Sequence, residues 1–155
     1  MQLDDILPVF VYGSLRAGEF NYKRYLDGNV LSSIPNRARI RGSLYDMPYK
    51  GYPALLVEKI NTEWVYGEIF ELLNFESTLS NLDALEGYIG IDHPDNEYER
   101  RVEMVEVWQE QSKTFVAQKV FVYLYRMEND SLFYKQTELT TDGIWRPREI
   151  SENLT

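Results

Sequence analysis

Apolar positions come in short β-like runs along most of the chain and in a helical stripe at one place. Pro8-Val9-Phe10-Val11-Tyr12 is apolar, β-rich and stops at Gly13, which predicts a buried strand ending in a tight turn. Residues 19–27 predict a short helix. Arg37 to Tyr45 reads as one strand, with Ala38, Ile40, Gly42 and Leu44 on one side. Pro53 to Val57 and Trp64 to Leu72 read as two more, with Ile60-Asn61-Thr62 near the turn between them. From Phe75 to Glu86 the period becomes helical, since Phe75, Leu79 and Leu82 fall within about 60° of one another at ~100° per residue. Asn74 is placed to cap the start, and Gly87 suits the position just past the end. Residues 88–97 read as a loop, followed by a hairpin of two long strands, Tyr98 to Trp108 and Phe115 to Met127. About seven strands and one conspicuous helix predict an α+β (mixed α/β) fold, a small mixed β-barrel carrying one prominent helix. No repeat or Pro/Ser-rich linker divides the chain, so residues 1–155 read as one domain with its core at about 8–148.

Within that pattern Glu86 is out of place. It falls inside the arc of Phe75, Leu79 and Leu82, so a carboxyl lies in the apolar stripe on the last helical turn. Burial and the negative end of the helix dipole both raise a carboxyl pKa there, which makes Glu86 a candidate general acid/base. The competing reading is a frayed last turn with Glu86 bent into solvent. Asp83, on the border of the stripe, is expected to be a hydrogen-bond partner near the helix end.

The turn Tyr12-Gly13-Ser14-Leu15-Arg16 directly follows the first buried strand. A glycine there permits positive φ, so successive N–H groups can converge on an anion, with the Ser14 hydroxyl beside them. An ordinary strand-ending turn is the alternative. Neither a G-x-x-x-x-G-K-[ST] phosphate loop nor a G-x-S-x-G nucleophile elbow is present.

Composition narrows the chemistry. Hydrophobic residues make up 44% and charged residues 26%, as in a folded globular domain. Sixteen Lys and Arg against 25 Asp and Glu leave a net charge of −9, which disfavours nucleic acid and anionic membrane surfaces and favours neutral or cationic partners. Absence of cysteine removes thiol nucleophiles, iron–sulfur clusters and Cys-based zinc sites, and a single histidine, His93, removes multi-His metal centres. No metal or cofactor is therefore expected. The acidic start Met1-Gln2-Leu3-Asp4-Asp5 lacks the pattern of a secretory signal, and no apolar run approaches ~20 residues, so the expected location is the cytoplasm. The N-x-S/T triplets at Asn129 and Asn153 are then chance matches.

Taken together, several segments resemble the γ-glutamylcyclotransferase / AIG2-like family. Val9-Phe10-Val11-Tyr12-Gly13-Ser14-Leu15-Arg16, with Gly18 and Asn21 behind it, is similar to the family's opening motif. Gly42-Ser43-Leu44-Tyr45, Tyr52-Pro53-Ala54 and Val65-Tyr66-Gly67-Glu68-Ile69-Phe70 follow in order. Leu82-Asp83-Ala84-Leu85-Glu86-Gly87-Tyr88 and Tyr98-Glu99-Arg100-Arg101 complete a resemblance that runs from about residue 8 to residue 125. It implies a small mixed barrel with a cavity at one end and cleavage of γ-glutamyl amides or amines by cyclisation to 5-oxoproline and a free amine. It also implies Glu86 as the catalytic acid and Tyr12, Gly13, Ser14 and Leu15 as the substrate loop. The loop would hold either the α-carboxylate or the developing oxyanion.

The remaining candidates follow from the residues themselves. Phe115 to Met127 puts Phe121, Tyr123 and Tyr125 on one face and Val120, Val122 and Leu124 on the other, so Tyr123 either lines the cavity or packs in the core. Arg100 is expected to pair with an acid near the helix end, and Arg16 to be a solvated turn residue or a partner of a substrate carboxylate. His93 reads as surface decoration, Trp145 and Pro147 as closing the barrel or covering its rim, and Ser151 to Thr155 as a frayed tail. The expected partner is a small γ-glutamyl molecule, with a cationic leaving amine favoured: a lysine side chain, a polyamine or a γ-glutamyl-protected amino-sugar natural product. The rivals are a non-catalytic small-molecule binding module and a glutathione-directed cyclotransferase.

Overall fold

The computed structural model of the chain describes residues 6–58 and 63–147. Ile60-Asn61-Thr62, Asn153 and the segment Ser151 to Thr155 lie outside the described residues. Five strands close into a barrel: β1 (Val9–Val11), β5 (Trp64–Phe70), β2 (Asn36–Arg41), β6 (Tyr98–Gln109) and β7 (Thr114–Tyr125), in that order. Closure is by β1 lying parallel to β7, with Val9 opposite Phe121 and the Phe121 N–H donating to the Pro8 carbonyl at 2.9 Å. A second sheet is formed by β4 (Tyr52–Leu56), β3 (Ser43–Met47) and the two-residue β8 (Glu138–Leu139).

The barrel lumen is filled from alternating positions of all five strands, among them Phe10, Ile40, Val65, Val105, Val120 and Val122. Trp145, 2% exposed, enters the same cluster and donates from Nε1 to Asp46 Oδ1 at 3.3 Å, whereas Pro147 is exposed. The opposite face of β7 supplies Tyr123 and Tyr125, with Phe121 at the margin, to a second core shared with the helix and the small sheet. Both faces of β7 are therefore used, as its unbroken apolar run predicts.

Helix α1 spans Phe75–Glu86, the predicted range. It buries Leu79 and Leu82, and Phe75 lies over Phe121 with ring centroids 6.2 Å apart. Its start differs from expectation: Asn74 takes φ 47° and makes no side-chain cap, while the Thr78 hydroxyl donates to the Leu73 carbonyl at 2.8 Å. Its end is closed by Gly87 at φ 67°, with the Tyr88 N–H reaching the Asp83 carbonyl at 2.9 Å. None of the helices among the described residues is long and apolar enough to cross a membrane.

The short helix predicted at 19–27 forms over residues 20–26, its Tyr22–Leu26 part π-helical with Tyr22 and Leu26 buried. One expectation is corrected. The single strand predicted at 37–45 is two strands in two sheets, β2 and β3, separated by Gly42. A Cβ on Gly42 would lie 2.9 Å from Leu55 Cδ1 and 2.9 Å from the Leu56 carbonyl oxygen, so the crossing from barrel to small sheet needs a residue without one.

Candidate active site

Tyr12, Gly13, Ser14, Leu15, Glu86 and Tyr123 converge on one cavity of about 100 Å³. They come from three parts of the fold. The first four leave the end of β1 and Glu86 ends α1. Tyr123 projects from β7 on the face that packs toward the helix.

The turn is rigid and offers donors. Ser14 accepts twice at its carbonyl, from the N–H groups of Asn21 (3.0 Å) and Tyr22 (3.1 Å), and once at its hydroxyl, from Asn21 Nδ2 (2.7 Å). The N–H groups of Gly13, Ser14 and Leu15 reach no protein acceptor among the described residues. Gly13 does not adopt the expected positive φ. A Cβ there would stand 2.9 Å from Pro53 Cγ, so the glycine serves the close approach of the turn to β4. Arg16 is neither solvated nor aimed at the cavity: its guanidinium donates to the carbonyls of Gly13 and Trp145, tying the turn to the C-terminal segment. Tyr12 is buried and donates its hydroxyl to the Tyr123 carbonyl at 2.6 Å, which joins the two walls.

Glu86 is half-buried, and the helix runs through it to Gly87, so its carboxyl stays in the cavity. It accepts no hydrogen bond from the described residues. Removal from water, and then the negative charge of Glu97, push its pKa from 4.5 up to about 8. Asp83, one turn earlier, accepts the Tyr123 hydroxyl at 2.7 Å on Oδ1 and pairs with Arg100 on Oδ2. That network fixes Tyr123, whose phenol is pushed far above its ordinary value by burial and then by Asp83. Tyr123 thus both lines the cavity and has its hydroxyl satisfied.

The sequence reading missed Glu97. It closes the 88–97 loop, lines the cavity, and is anchored at both backbone ends. Its N–H donates to the Gly87 carbonyl and its carbonyl accepts the Arg126 N–H, each at 3.0 Å. Its Oε2 accepts from Lys50 Nζ at 2.6 Å and from the Tyr52 hydroxyl at 2.7 Å. The one available signal is its position directly before the Tyr98-x-Arg100 element. His93, half-buried in the same loop, does not line the cavity, and its Nδ1 accepts the Asp95 N–H at 3.0 Å in an exposed hydrogen bond. The Asn129 side chain is likewise used internally, donating to the carbonyls of Pro94 and Asn96.

The raised Glu86 pKa has a consequence for stability. Between its unfolded value near 4.5 and its folded value of about 8 the native state holds a proton that the unfolded chain releases, so this group lowers stability progressively as pH rises through that window. Glu86→Gln removes the loss. Thermal unfolding of the two proteins should coincide near pH 4 and separate by pH 8, with the variant the more stable; equal melting temperatures at pH 8 would contradict the raised value.

Residues 9–147 match the sequence profile of the family described as Gamma-glutamyl cyclotransferase, AIG2-like. The chain belongs to this family. The match takes in every residue of the cavity. The chain is 41% identical over 92 residues to the gamma-L-glutamyl-butirosin B gamma-glutamyl cyclotransferase of Niallia circulans, a stretch covering 59% of this chain and 53% of that protein. It is 31% identical over 98 residues to a putative gamma-glutamylcyclotransferase of Methanocaldococcus jannaschii, covering 63% and 71%. Similarity to the first relative therefore spans about half of that relative's length. Among solved structures, the crystal structure of an AIG2-like protein from Mus musculus superimposes with a TM-score of 0.57 at 29% identity, covering 92% of this chain and 97% of that one.

Proposed function

We propose that this protein is a γ-glutamylcyclotransferase that converts a γ-glutamyl amine into 5-oxoproline and the free amine. The observation that carries the reading is one small cavity holding a desolvated carboxyl with no hydrogen-bond partner among the described residues, Glu86, together with three unpaired backbone donors at Gly13, Ser14 and Leu15. Family membership and the cyclotransferase relatives support it.

The nucleophile is the substrate's own α-amine. Glu86 takes a proton from the α-ammonium, and the freed amine nitrogen attacks the γ-carbonyl carbon to form the ring C–N bond. The bond to the leaving nitrogen then breaks as Glu86 returns the proton to it; the second proton of the former ammonium leaves the ring nitrogen through the regenerated Glu86 carboxylate and ends on the released amine as its ammonium form, so no water is consumed. A carboxyl with a pKa of about 8 exchanges protons in both directions near neutral pH. Folding the γ-glutamyl chain inside the cavity supplies several kcal/mol by orientation, on the order of the gains seen in intramolecular reactions. The three N–H groups hold the α-carboxylate or stabilise the oxyanion.

A cationic leaving amine is favoured by the net charge of −9 and by the relative named for γ-L-glutamyl-butirosin B. Cyclisation is separable from hydrolysis by blocking the nucleophile. The γ-glutamyl amine should give 5-oxoproline and amine, and its N-acetyl derivative should give neither. Amine release with glutamate as co-product, or release from the N-acetyl compound, would indicate hydrolysis. Binding without any product would favour a non-catalytic module.

A further inference from the structure

Beyond the cavity of Glu86 lies a more open depression of about 460 Å³ with polar walls that include Lys50, Asp95, Tyr125 and Asn129. Glu97 is the residue that lines both spaces. The Glu86 cavity is partly open and meets this depression at Glu97, so the amine joined to a γ-glutamyl group held there can continue past the cavity wall.

At that boundary an ammonium is already seated. Lys50 Nζ lies 2.6 Å from Glu97 Oε2, 5.8 Å from the centroid of the Tyr52 ring and 5.6 Å from that of Tyr125. A carboxylate flanked by two aromatic faces is the arrangement that recognises alkylammonium ions. The three residues of this cage are fixed independently of Lys50. Glu97 is anchored through its backbone, Tyr52 donates its hydroxyl to Glu97 at 2.7 Å, and Tyr125 donates its own to Asp130 at 2.7 Å. The occupant is the adaptable partner: Lys50 sits on the turn between β3 and β4, on a long side chain that is 26% exposed.

We propose that the cage of Glu97, Tyr52 and Tyr125 is the subsite for a primary ammonium group of the leaving amine, and that Lys50 is an internal stand-in which the substrate displaces. This rests on the cyclotransferase reading and adds where the amine is recognised. Exchange of one ammonium for another leaves Glu97 paired throughout, and the displaced Lys50 gains full hydration, so no unpaired charge is left behind. A neutral leaving group leaves Lys50 where it is. Specificity is then set by replacement of a built-in competitor.

Lys50→Met and Glu97→Gln therefore act in opposite directions. With mono-γ-glutamyl-pentane-1,5-diamine, whose free end is a single primary ammonium, as the cationic substrate and γ-glutamyl-n-butylamide as the neutral one, the quantity read is the cationic-to-neutral ratio of kcat/KM. Glu97→Gln is expected to lower this ratio about tenfold, and Lys50→Met to raise it several-fold, chiefly through KM for the cationic substrate. Because Glu97 also faces Glu86, kcat with both substrates is expected to change in Glu97→Gln; the ratio isolates the cage. A merely structural Lys50–Glu97 pair would move both variants the same way, or leave the ratio unchanged, and either result overturns the proposal. Pentane-1,5-diamine binding followed by NMR reads the cage without turnover, and should be tighter in Lys50→Met than in wild type and weakest in Glu97→Gln. Equal binding by the three proteins overturns the subsite. Ordered diamine binding without 5-oxoproline from either substrate would instead sink the cyclotransferase reading alone.

Discussion

Glu86→Gln is expected to lower kcat for 5-oxoproline release by about 10²–10⁴-fold, the range associated with losing a positioned general acid/base. Glutamine keeps the length and shape of the side chain but neither takes a proton from the α-ammonium nor returns one to the leaving nitrogen. The cavity walls do not depend on this carboxyl: Tyr12, Ser14 and Tyr123 are held by Tyr123, Asn21 and Asp83. Loss should therefore fall on kcat more than on substrate binding. The wild-type rate should climb with pH until Glu86 has lost its proton, near its value of about 8, and then level off. A pH–rate profile of both proteins checks this, since residual activity of the variant should lack that limb. A variant with wild-type kcat, or a wild-type rate that falls between pH 6 and 8, would remove Glu86 from the mechanism.

The second large effect is on the barrel itself. Gly67→Ala is expected to lower the unfolding free energy by about 3 kcal/mol or more, at the upper end of what overpacking a core produces. Gly67 sits in β5 between the buried residues Val65 and Ile69, and an added Cβ would meet the Val11 carbonyl oxygen at 2.3 Å and Phe10 Cζ at 2.8 Å. One neighbour is backbone and the other is a ring 1% exposed in the lumen, so neither can yield cheaply. The disturbed strand, β1, delivers the Tyr12–Leu15 turn, so activity should fall with stability. Gly90→Ala is the control, because a Cβ there meets nothing within 4 Å. Urea denaturation of the pair should show the loss in Gly67→Ala and a change within about 0.5 kcal/mol in Gly90→Ala. Equal stability of the two would mean that the barrel is not closed as tightly around Phe10.

How far this fold and site can be read from sequence depends on whether a constraint is local. Helix α1 was legible because its apolar stripe and Gly87 are both short-range signals, and the β6–β7 hairpin because two long apolar runs flank one polar stretch. The β2–β3 break was not legible. Alternation of Ala38, Ile40 and Leu44 continues across Gly42, and what splits the strand is contact with Leu55 and Leu56, which periodicity does not carry. Asn74 does not cap because it occupies the left-handed region, a backbone setting that the residue type alone does not reveal. In the site, Glu86 stood out as a charge on an apolar face. Glu97 gave no such sign, since it becomes a neighbour of Glu86 only when its loop returns to bind the Gly87 carbonyl.

The most direct test of the central claim is a mass balance on γ-glutamyl-ε-lysine incubated with wild type and Glu86→Gln side by side, with 5-oxoproline, glutamate and lysine quantified together. Expected are equal amounts of 5-oxoproline and lysine from the wild type, no glutamate, and neither product at a comparable rate from the folded variant. Glutamate in place of 5-oxoproline, or undiminished 5-oxoproline from Glu86→Gln, would contradict cyclisation driven by this carboxyl.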